Sequence, residues 1–124
     1  MTAQSTHIFL VEDDYDLRNS LKEILEEEGY RVSCAGDGQE ALQILRSLRP
    51  HPSLIFLDLM MPVLDGYGFR RAQVADPLLA QIPVVIMSAD GQVDKNRAQT
   101  QAVAYVRKPF DLEDILDAVE RYAI

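Results

Sequence analysis

The chain has 124 residues, the size of one domain with a hydrophobic core large enough to fold without disulfides. Its formal net charge of -8 at pH 7 argues against nucleic acid and against an anionic membrane surface as partners. The single cysteine, Cys34, excludes an internal disulfide, and no apolar stretch reaches membrane-spanning length. The polar first residues lack the apolar region of a signal peptide, so the cytoplasm is the expected location.

Short apolar runs alternate with amphipathic segments along the whole chain, which predicts an α/β fold with a parallel sheet covered on both faces. In chain order, the pattern predicts a strand at 7–11, a helix at 17–25 after a cap at Asp14 or Asp16, a strand at 30–35, a helix at 41–48, a strand at 54–58, a short helix ending near 76, a strand at 84–87, a polar helix at 93–101, a strand at 104–106 and a last helix at 112–119.

The third predicted strand runs from Leu54 straight into Asp58. An unbroken apolar run is typical of a strand buried on both faces. Carboxylates are costly to bury, so Asp58 is expected at the rim of the sheet, where open α/β sheets bind their ligands. By itself, Asp58 is equally well explained as a residue that ends the strand and caps the next turn.

The ends of the other predicted strands carry more polar side chains: Glu12 and Asp13 after the first, Ser88 after the fourth and Lys108 after the fifth. In a doubly wound sheet these ends share one edge. Crowded carboxylates repel unless a cation joins them, and an all-oxygen set suits Mg²⁺. A lysine and a hydroxyl opposite could hold a phosphoryl group, with Asp58 as the nucleophile. Each residue alone has an ordinary alternative as a helix-start acid, a loop hydroxyl or a solvated lysine.

The same residues resemble those of a known family, the receiver domains of two-component response regulators. The resemblance extends from His7 to Tyr122 and is carried by five motifs: Glu12-Asp13, Asp58-Leu-Met-Met-Pro62, Asp65-Gly66, Ser88-Ala89 and Lys108-Pro109-Phe110. It implies a flavodoxin-like, doubly wound sheet of five strands in the order 2-1-3-4-5 with five helices. It also implies a cytoplasmic phosphoprotein that acts in phosphorelay signal transduction.

The resemblance assigns the site residues. It implies that Asp58 accepts a phosphoryl group from a sensor histidine kinase or a histidine phosphotransfer protein. It implies a Mg²⁺ cofactor held by Asp13, Asp58 and the backbone carbonyl of Met60, with Glu12 acting through water.

Two further roles follow from the same resemblance. Ser88 and Lys108 are expected to contact the phosphoryl group. Tyr105 matches an aromatic switch position, whose side chain moves inward as the hydroxyl of Ser88 follows the phosphate. A half-exposed residue of an amphipathic strand is the ordinary alternative for Tyr105, and the Lys108–Pro109 peptide bond is often cis in the family.

The chain departs from the family pattern in places. Glu12 and Ser88 stand where aspartate and threonine are commoner, and Ala102-Val103-Ala104 replaces the usual Gly-Ala. Only 20 positions separate Ser88 from Lys108, slightly fewer than usual. The missing length must come from the fourth helix or its loops, so the family's dimer geometry does not transfer.

Two alternatives compete with this interpretation. The segment from Gly36 to Ala41 fits the G-x-G-x-x-G/A fingerprint of a dinucleotide-binding, Rossmann-type enzyme fragment, with Asp58 as the ribose-binding acid. That alternative leaves Glu12-Asp13, Ser88 and Lys108 without a role. A phosphate-independent pseudo-receiver is the other, and the retained acids and lysine argue against it.

The interval after Lys108 is too short for a DNA-binding or catalytic output domain. We therefore expect residues 1–124 to form a stand-alone receiver domain that is not an enzyme beyond its own phosphorylation and dephosphorylation. Its signal would leave by contact with an unknown protein target, in motor control, phosphorelay transfer or kinase regulation. The sequence does not distinguish among these three.

Overall fold

A computed structural model of the protein describes residues 6–89 and 98–124. Five parallel strands form one sheet in the order β2-β1-β3-β4-β5, as predicted. The strands are β1 (His7–Val11), β2 (Arg31–Ala35), β3 (Leu54–Asp58), β4 (Val84–Ser88) and β5 (Ala104–Arg107). Each agrees with its predicted strand to within one residue at either end.

Helices connect the strands and cover both faces of the sheet. They are α1 (Tyr15–Glu27), α2 (Gly38–Ser47), α3 (Gly66–Ala75), α4, described at residues 98–100, and α5 (Leu112–Tyr122). The predicted fourth helix, 93–101, lies mostly outside the described residues. Across residues 6–89 and 98–124, no helix has both the length and the hydropathy that crossing a membrane requires.

Helix α1 shows how local sequence sets the boundaries of an element. Of the two predicted caps, Asp14 is the one used: its side chain accepts hydrogen bonds from the N–H groups of Asp16 and Leu17 at 3.0 and 3.2 Å. These bonds satisfy donors that the first helical turn leaves free. After the helix, Gly29 has a φ of 95°, the left-handed conformation predicted for this glycine.

Successive side chains of the central strands point to opposite faces and form two hydrophobic layers. In β1, Phe9 and Val11 pack with the apolar residues of α2 and α3, whereas Ile8 and Leu10 pack with those of α1 and α5. Every residue of β3 is buried, which explains why its sequence is an uninterrupted apolar run before Asp58.

The strand register places the polar residues at one edge. Val11 pairs with Leu57 across β1 and β3, Asp58 pairs with Met87 across β3 and β4, and Ser88 pairs with Arg107 across β4 and β5. The carboxyl ends of four strands are therefore level with one another. Their terminal and following residues, Glu12, Asp58, Ser88 and Lys108, meet there as the sequence predicted.

Candidate functional site

Three acidic side chains form the centre of the site. Glu12 and Asp58 are buried, with exposed fractions of 0% and 3%, whereas Asp13 is exposed. Each offers a carboxylate oxygen, and these oxygens all lie within 4.8 Å of one another. Oxygen ligands with one face open to water fit a hard cation such as Mg²⁺, so the residues present agree with the metal that the resemblance implied.

Lys108 is the cation of the site, and its closest partner is Glu12. Its Nζ lies 2.6 Å from Glu12 Oε1 and 3.5 Å from Asp58 Oδ2. Burial lowers the pKa of Lys108, but the hydrogen bond to Glu12 and the charge of Asp58 outweigh it, so that pKa is raised. The Lys108–Pro109 peptide bond is cis, and the Lys108 N–H donates to the Ser88 carbonyl at 2.9 Å.

Asp58 has the most perturbed acidity of the described residues. Its burial, its hydrogen bond with Glu12 and the charge of Glu12 raise its pKa to about 8, against opposing contributions from Lys108 and the Met60 N–H. Two neighbouring carboxyls in a desolvated site favour a shared proton over two charges. The Met60 N–H donates to Asp58 Oδ1 at 3.1 Å, so Asp58 does cap the turn after its strand in addition to facing the acids.

A tight loop holds Asp58 in place from the other side. The Gly66 N–H donates to the Leu59 carbonyl at 3.0 Å. A Cβ on Gly66 would come within 2.5 Å of the Asp58 carbonyl oxygen, a clash that backbone movement alone could relieve. Glycine is therefore required here, because α3 begins directly against the end of β3.

The tip of this loop is a strained three-residue turn. The Leu64 N–H donates to the Pro62 carbonyl at 2.8 Å, and Val63 between them has a φ of 68°. That combination defines the γ-turn with positive φ, which is rare and unfavourable for a β-branched residue. The Val63 side chain is 78% exposed, so it gains little from packing in return.

We expect Val63→Gly to stabilise the protein. Relief of about 1–3 kcal/mol of backbone strain should exceed the roughly 0.5–1 kcal/mol that glycine costs in chain entropy. The net gain should appear as a rise of about 3 °C in melting temperature. Val103→Gly is the matched control, since Val103 is exposed but lacks a positive φ, and it should lower the melting temperature. A lower value for Val63→Gly would show that the turn is not strained.

Arg18 supports the acidic pair and was not singled out in the sequence. Its Nη1 donates to the Glu12 backbone carbonyl at 2.8 Å, and its guanidinium lies 5.4 Å from the centre of the Tyr15 ring. The bond fixes the backbone between β1 and α1 that carries Glu12 and Asp13. An arginine one turn into the helix after paired acids is a weak sequence signal, because most such arginines are solvated.

The two expected switch residues occupy different environments. Ser88 is buried at the end of β4, and Tyr105 is half-buried against the hydrophobic layer beside α3. The Tyr105 hydroxyl lies 3.0 Å from Thr100 Oγ1 and accepts a hydrogen bond from the Ala102 N–H at 3.1 Å. Since Ala102 precedes β5, the hydroxyl is directed towards the start of that strand, away from Ser88 at the opposite edge.

The glycine segment that suggested a dinucleotide site has a different role in the fold. The Gly38 N–H donates to the Leu64 carbonyl at 2.9 Å, and a Cβ on Gly38 would lie 2.3 Å from that oxygen. Asp37 caps α2 by accepting from the Glu40 N–H at 2.8 Å. These groups contact the loop after β3, so the glycine allows close protein packing, which counts against the fingerprint interpretation.

Comparison with known proteins identifies the family. The family model described as "Response regulator receiver domain" matches residues 8–120. The chain belongs to the response regulator receiver domain family, and the resemblance seen in the sequence is confirmed. Receiver domains of this family act in two-component signal transduction and interact with histidine kinases or phosphotransfer proteins.

Curated relatives differ in how much of their length the chain covers. It is 36% identical over 118 residues to sporulation initiation phosphotransferase F of Bacillus subtilis, covering 93% of this chain and 91% of the relative. It is 37% identical over 118 residues to the transcriptional regulatory protein CrdR of Helicobacter pylori, covering 93% of this chain but 54% of the relative. The chain therefore spans nearly all of one relative and about half of the other.

Solved structures show the same architecture. The signal receiver domain of a histidine kinase from Syntrophus aciditrophicus has a TM-score of 0.86 and 32% identity, covering 95% of this chain and 89% of that one. The receiver domain of a sensor histidine kinase from Pseudomonas aeruginosa, with a magnesium ion coordinated in its active site cleft, has a TM-score of 0.84 and 28% identity, covering 94% and 96%.

Proposed function

We propose that Asp58 is the phosphoryl acceptor of this receiver domain. The observation that carries the proposal is the buried Asp58 carboxyl at the end of β3, with the Glu12 and Asp13 oxygens within 4.8 Å and the Lys108 ammonium at 3.5 Å. Such a site combines a carboxylate nucleophile with two sources of positive charge, the lysine ammonium and a cation held by the acids. Phosphoryl transfer needs little more than this from a protein.

The chemistry assigned to these residues is a simple displacement. An Asp58 carboxylate oxygen forms a bond to phosphorus as the P–N bond of a phosphohistidine breaks, and the imidazole keeps that electron pair. Lys108 and Ser88 stabilise the oxygens of the transferred group, Lys108 by charge and Ser88 by a hydrogen bond. Hydrolysis of the acyl phosphate returns Asp58 to its free form. Both steps change Asp58 of the domain itself, so the activity we assign is limited to its own phosphorylation and dephosphorylation.

We assign Mg²⁺ as the cofactor, with Asp13, Asp58 and the Met60 carbonyl as direct ligands. The ion supplies positive charge that neutralises the carboxylates and the phosphoryl oxygens. Glu12 is given a contact through water. Its Oε1 accepts from Lys108 at 2.6 Å and its Oε2 accepts from the Asp14 N–H at 3.2 Å, so both oxygens already have protein partners, which favours an indirect role.

The partners we propose are a sensor histidine kinase or histidine phosphotransfer protein upstream, and a protein target downstream. The relative named as a phosphotransferase favours onward transfer of the phosphoryl group, whereas the relatives named as transcriptional regulators pair a similar domain with further sequence. We also propose a role without direct nucleic-acid or membrane binding, and a cytoplasmic location. The net charge of -8 supports the first of these.

The test is phosphorylation by acetyl phosphate followed by intact mass spectrometry. We expect the wild-type protein to gain one phosphoryl group in Mg²⁺ and none in EDTA. Loss of a residue that only orients a metal ligand costs about tenfold or more in affinity, so Asp13→Ala, which removes a direct ligand, should weaken Mg²⁺ binding at least ~10-fold and slow phosphorylation to match. Asp16→Ala, at an exposed acid three positions away, is the control and should change neither. A Glu12→Ala variant that loses more metal affinity than Asp13→Ala would reverse our assignment of direct and indirect ligands.

A further inference from the structure

A second polar cluster lies between α3 and the end of α4, near the edge of the sheet opposite the acidic site. Arg70 of α3 is its centre. Arg70 Nε donates to the Thr100 carbonyl at 2.8 Å and Nη2 to the Gln101 carbonyl at 3.2 Å. These carbonyls belong to the last residues of α4 and the turn after it, so the guanidinium caps the carboxyl end of that helix from a neighbouring element.

The position of Arg70 is itself fixed by a buried residue. Arg70 Nη1 donates to Gln73 Oε1 at 2.9 Å. Gln73 is fully buried, and its Nε2 donates to the Leu79 and Ile82 carbonyls at 2.9 and 3.0 Å. The amide group of Gln73 is thus anchored to the loop between α3 and β4. This arrangement holds the guanidinium in one orientation rather than leaving it as a mobile surface charge.

The same turn holds the hydroxyl of the switch residue. Thr100, which is 1% exposed, places its Oγ1 3.0 Å from the Tyr105 hydroxyl, and the Ala102 N–H donates to that hydroxyl at 3.1 Å. The Thr100 residue therefore joins two interactions: its carbonyl accepts from Arg70, and its side chain contacts Tyr105. Gln101 between them has a φ of 51°, so the turn is one that needs support from outside to persist.

We propose that Arg70 is a positioning residue that holds Tyr105 in its inactive orientation by fixing the turn from Thr100 to Ala102. Arg70, Gln73 and this turn together form a turn clamp. The inference rests on the proposed function of Asp58, because it concerns how phosphorylation there reaches Tyr105. It adds a residue of α3 to the control of the switch, which Ser88 of β4 and Tyr105 of β5 form.

The direction of the effect follows from the geometry. The Tyr105 side chain can move towards Ser88 when its hydroxyl leaves Thr100 and Ala102, or when the turn moves with it, and the turn clamp opposes both. Interactions present in one of two states shift the equilibrium towards that state. Removing the clamp should therefore favour the active state, and by linkage it should tighten binding of any ligand that prefers the active state.

The experiment measures the affinity for beryllofluoride with Mg²⁺, the probe that stands in for the phosphoryl group. Arg70→Leu should bind it about fivefold more tightly than wild type. Arg71→Leu changes the neighbouring exposed arginine and is the matched control, with no change expected. Arg70→Lys keeps the charge but cannot reach both carbonyls, so its affinity should lie between wild type and Arg70→Leu.

A double-mutant cycle separates this role from a general effect on stability. In Tyr105→Phe the hydroxyl that the clamp holds is gone, so Arg70→Leu should tighten binding much less in that background. Equal effects of Arg70→Leu with and without the hydroxyl would overturn the proposal, as would unchanged or weaker binding by Arg70→Leu in the wild-type background.

A separate measurement tests the clamp without using the acidic site. The Ala102 amide donates to Tyr105, so its hydrogen exchange reports the closed turn in the absence of beryllofluoride. We expect about tenfold faster exchange at Ala102 in Arg70→Leu and no change in Arg71→Leu. Unchanged exchange in Arg70→Leu would overturn the clamp. By contrast, equal beryllofluoride binding by wild type and Asp58→Asn would count against Asp58 as the phosphoryl acceptor. It would leave the exchange result for the clamp unaffected.

Discussion

Asp58→Asn is expected to reduce incorporation of phosphate from acetyl phosphate at least ~100-fold. Asparagine has nearly the same shape as aspartate, and its carbonyl can still accept from the Met60 N–H, which donates to Asp58 Oδ1 at 3.1 Å. It lacks the negatively charged oxygen that attacks phosphorus. The variant therefore keeps the local fold and loses the nucleophile. Intact mass spectrometry after a fixed incubation with Mg²⁺ measures the result directly.

The control for this variant is Asp117→Asn, which changes an exposed acid on α5. It should be phosphorylated at the wild-type rate. Circular dichroism of both variants verifies that the fold is intact. Equal incorporation by Asp58→Asn and wild type would mean that another side chain accepts the phosphoryl group, and peptide mapping of the product would then find it.

Asp58→Asn should also stabilise the protein in EDTA at alkaline pH. In the folded protein the pKa of Asp58 is raised to about 8, from 3.8 for the free side chain. A folded state that holds its proton more tightly than the unfolded chain is stabilised at low pH. The raised pKa of Asp58 contributes fully to the free energy of unfolding below about pH 4, and this contribution is lost as the pH rises to about 8. Wild type in EDTA should therefore lose at least ~1 kcal/mol of unfolding free energy across that window.

Urea unfolding at a series of pH values measures this slope. Asp58→Asn has no proton to release, so its slope should be much flatter and its melting temperature at pH 8 about 3–5 °C above that of wild type. Mg²⁺ binds the folded arrangement and should raise the melting temperature of wild type more than that of the variant. A stability difference between wild type and Asp58→Asn that stays constant from pH 5 to pH 8 in EDTA would show that Asp58 is already ionised there.

The sheet and the positions of its site residues could be predicted from the apolar runs in the sequence and from the rules of strand connection. Buried parallel strands need apolar side chains on both faces, so β3 and its terminal Asp58 stand out as one run. Right-handed crossovers then bring successive strand ends to the same edge. That is why Glu12, Ser88 and Lys108 were expected near Asp58, and the register confirms it.

The partners of individual side chains were less predictable. Lys108 was expected to serve a phosphoryl group, and its closest approach in the structure is to Glu12, at 2.6 Å. Arg70 was not singled out because an arginine on a short helix is usually solvated, and its acceptor at Thr100 lies 30 positions further along the chain. Which partner a side chain contacts depends on differences of about an ångström in interatomic distance. Apolar periodicity does not encode such differences.

The close contact between Glu12 and Asp58 also makes the site a place where protons and metal ions compete. Burial and the neighbouring Glu12 raise the pKa of Asp58, which favours its protonated form in the metal-free site. Asp58 can offer a carboxylate oxygen to a cation when it gives up that proton, so metal affinity and acidity are linked through one side chain. Acidification should thus weaken magnesium binding and slow phosphorylation together, because an Asp58 that keeps its proton is lost both as a ligand for magnesium and as the nucleophile for phosphorus.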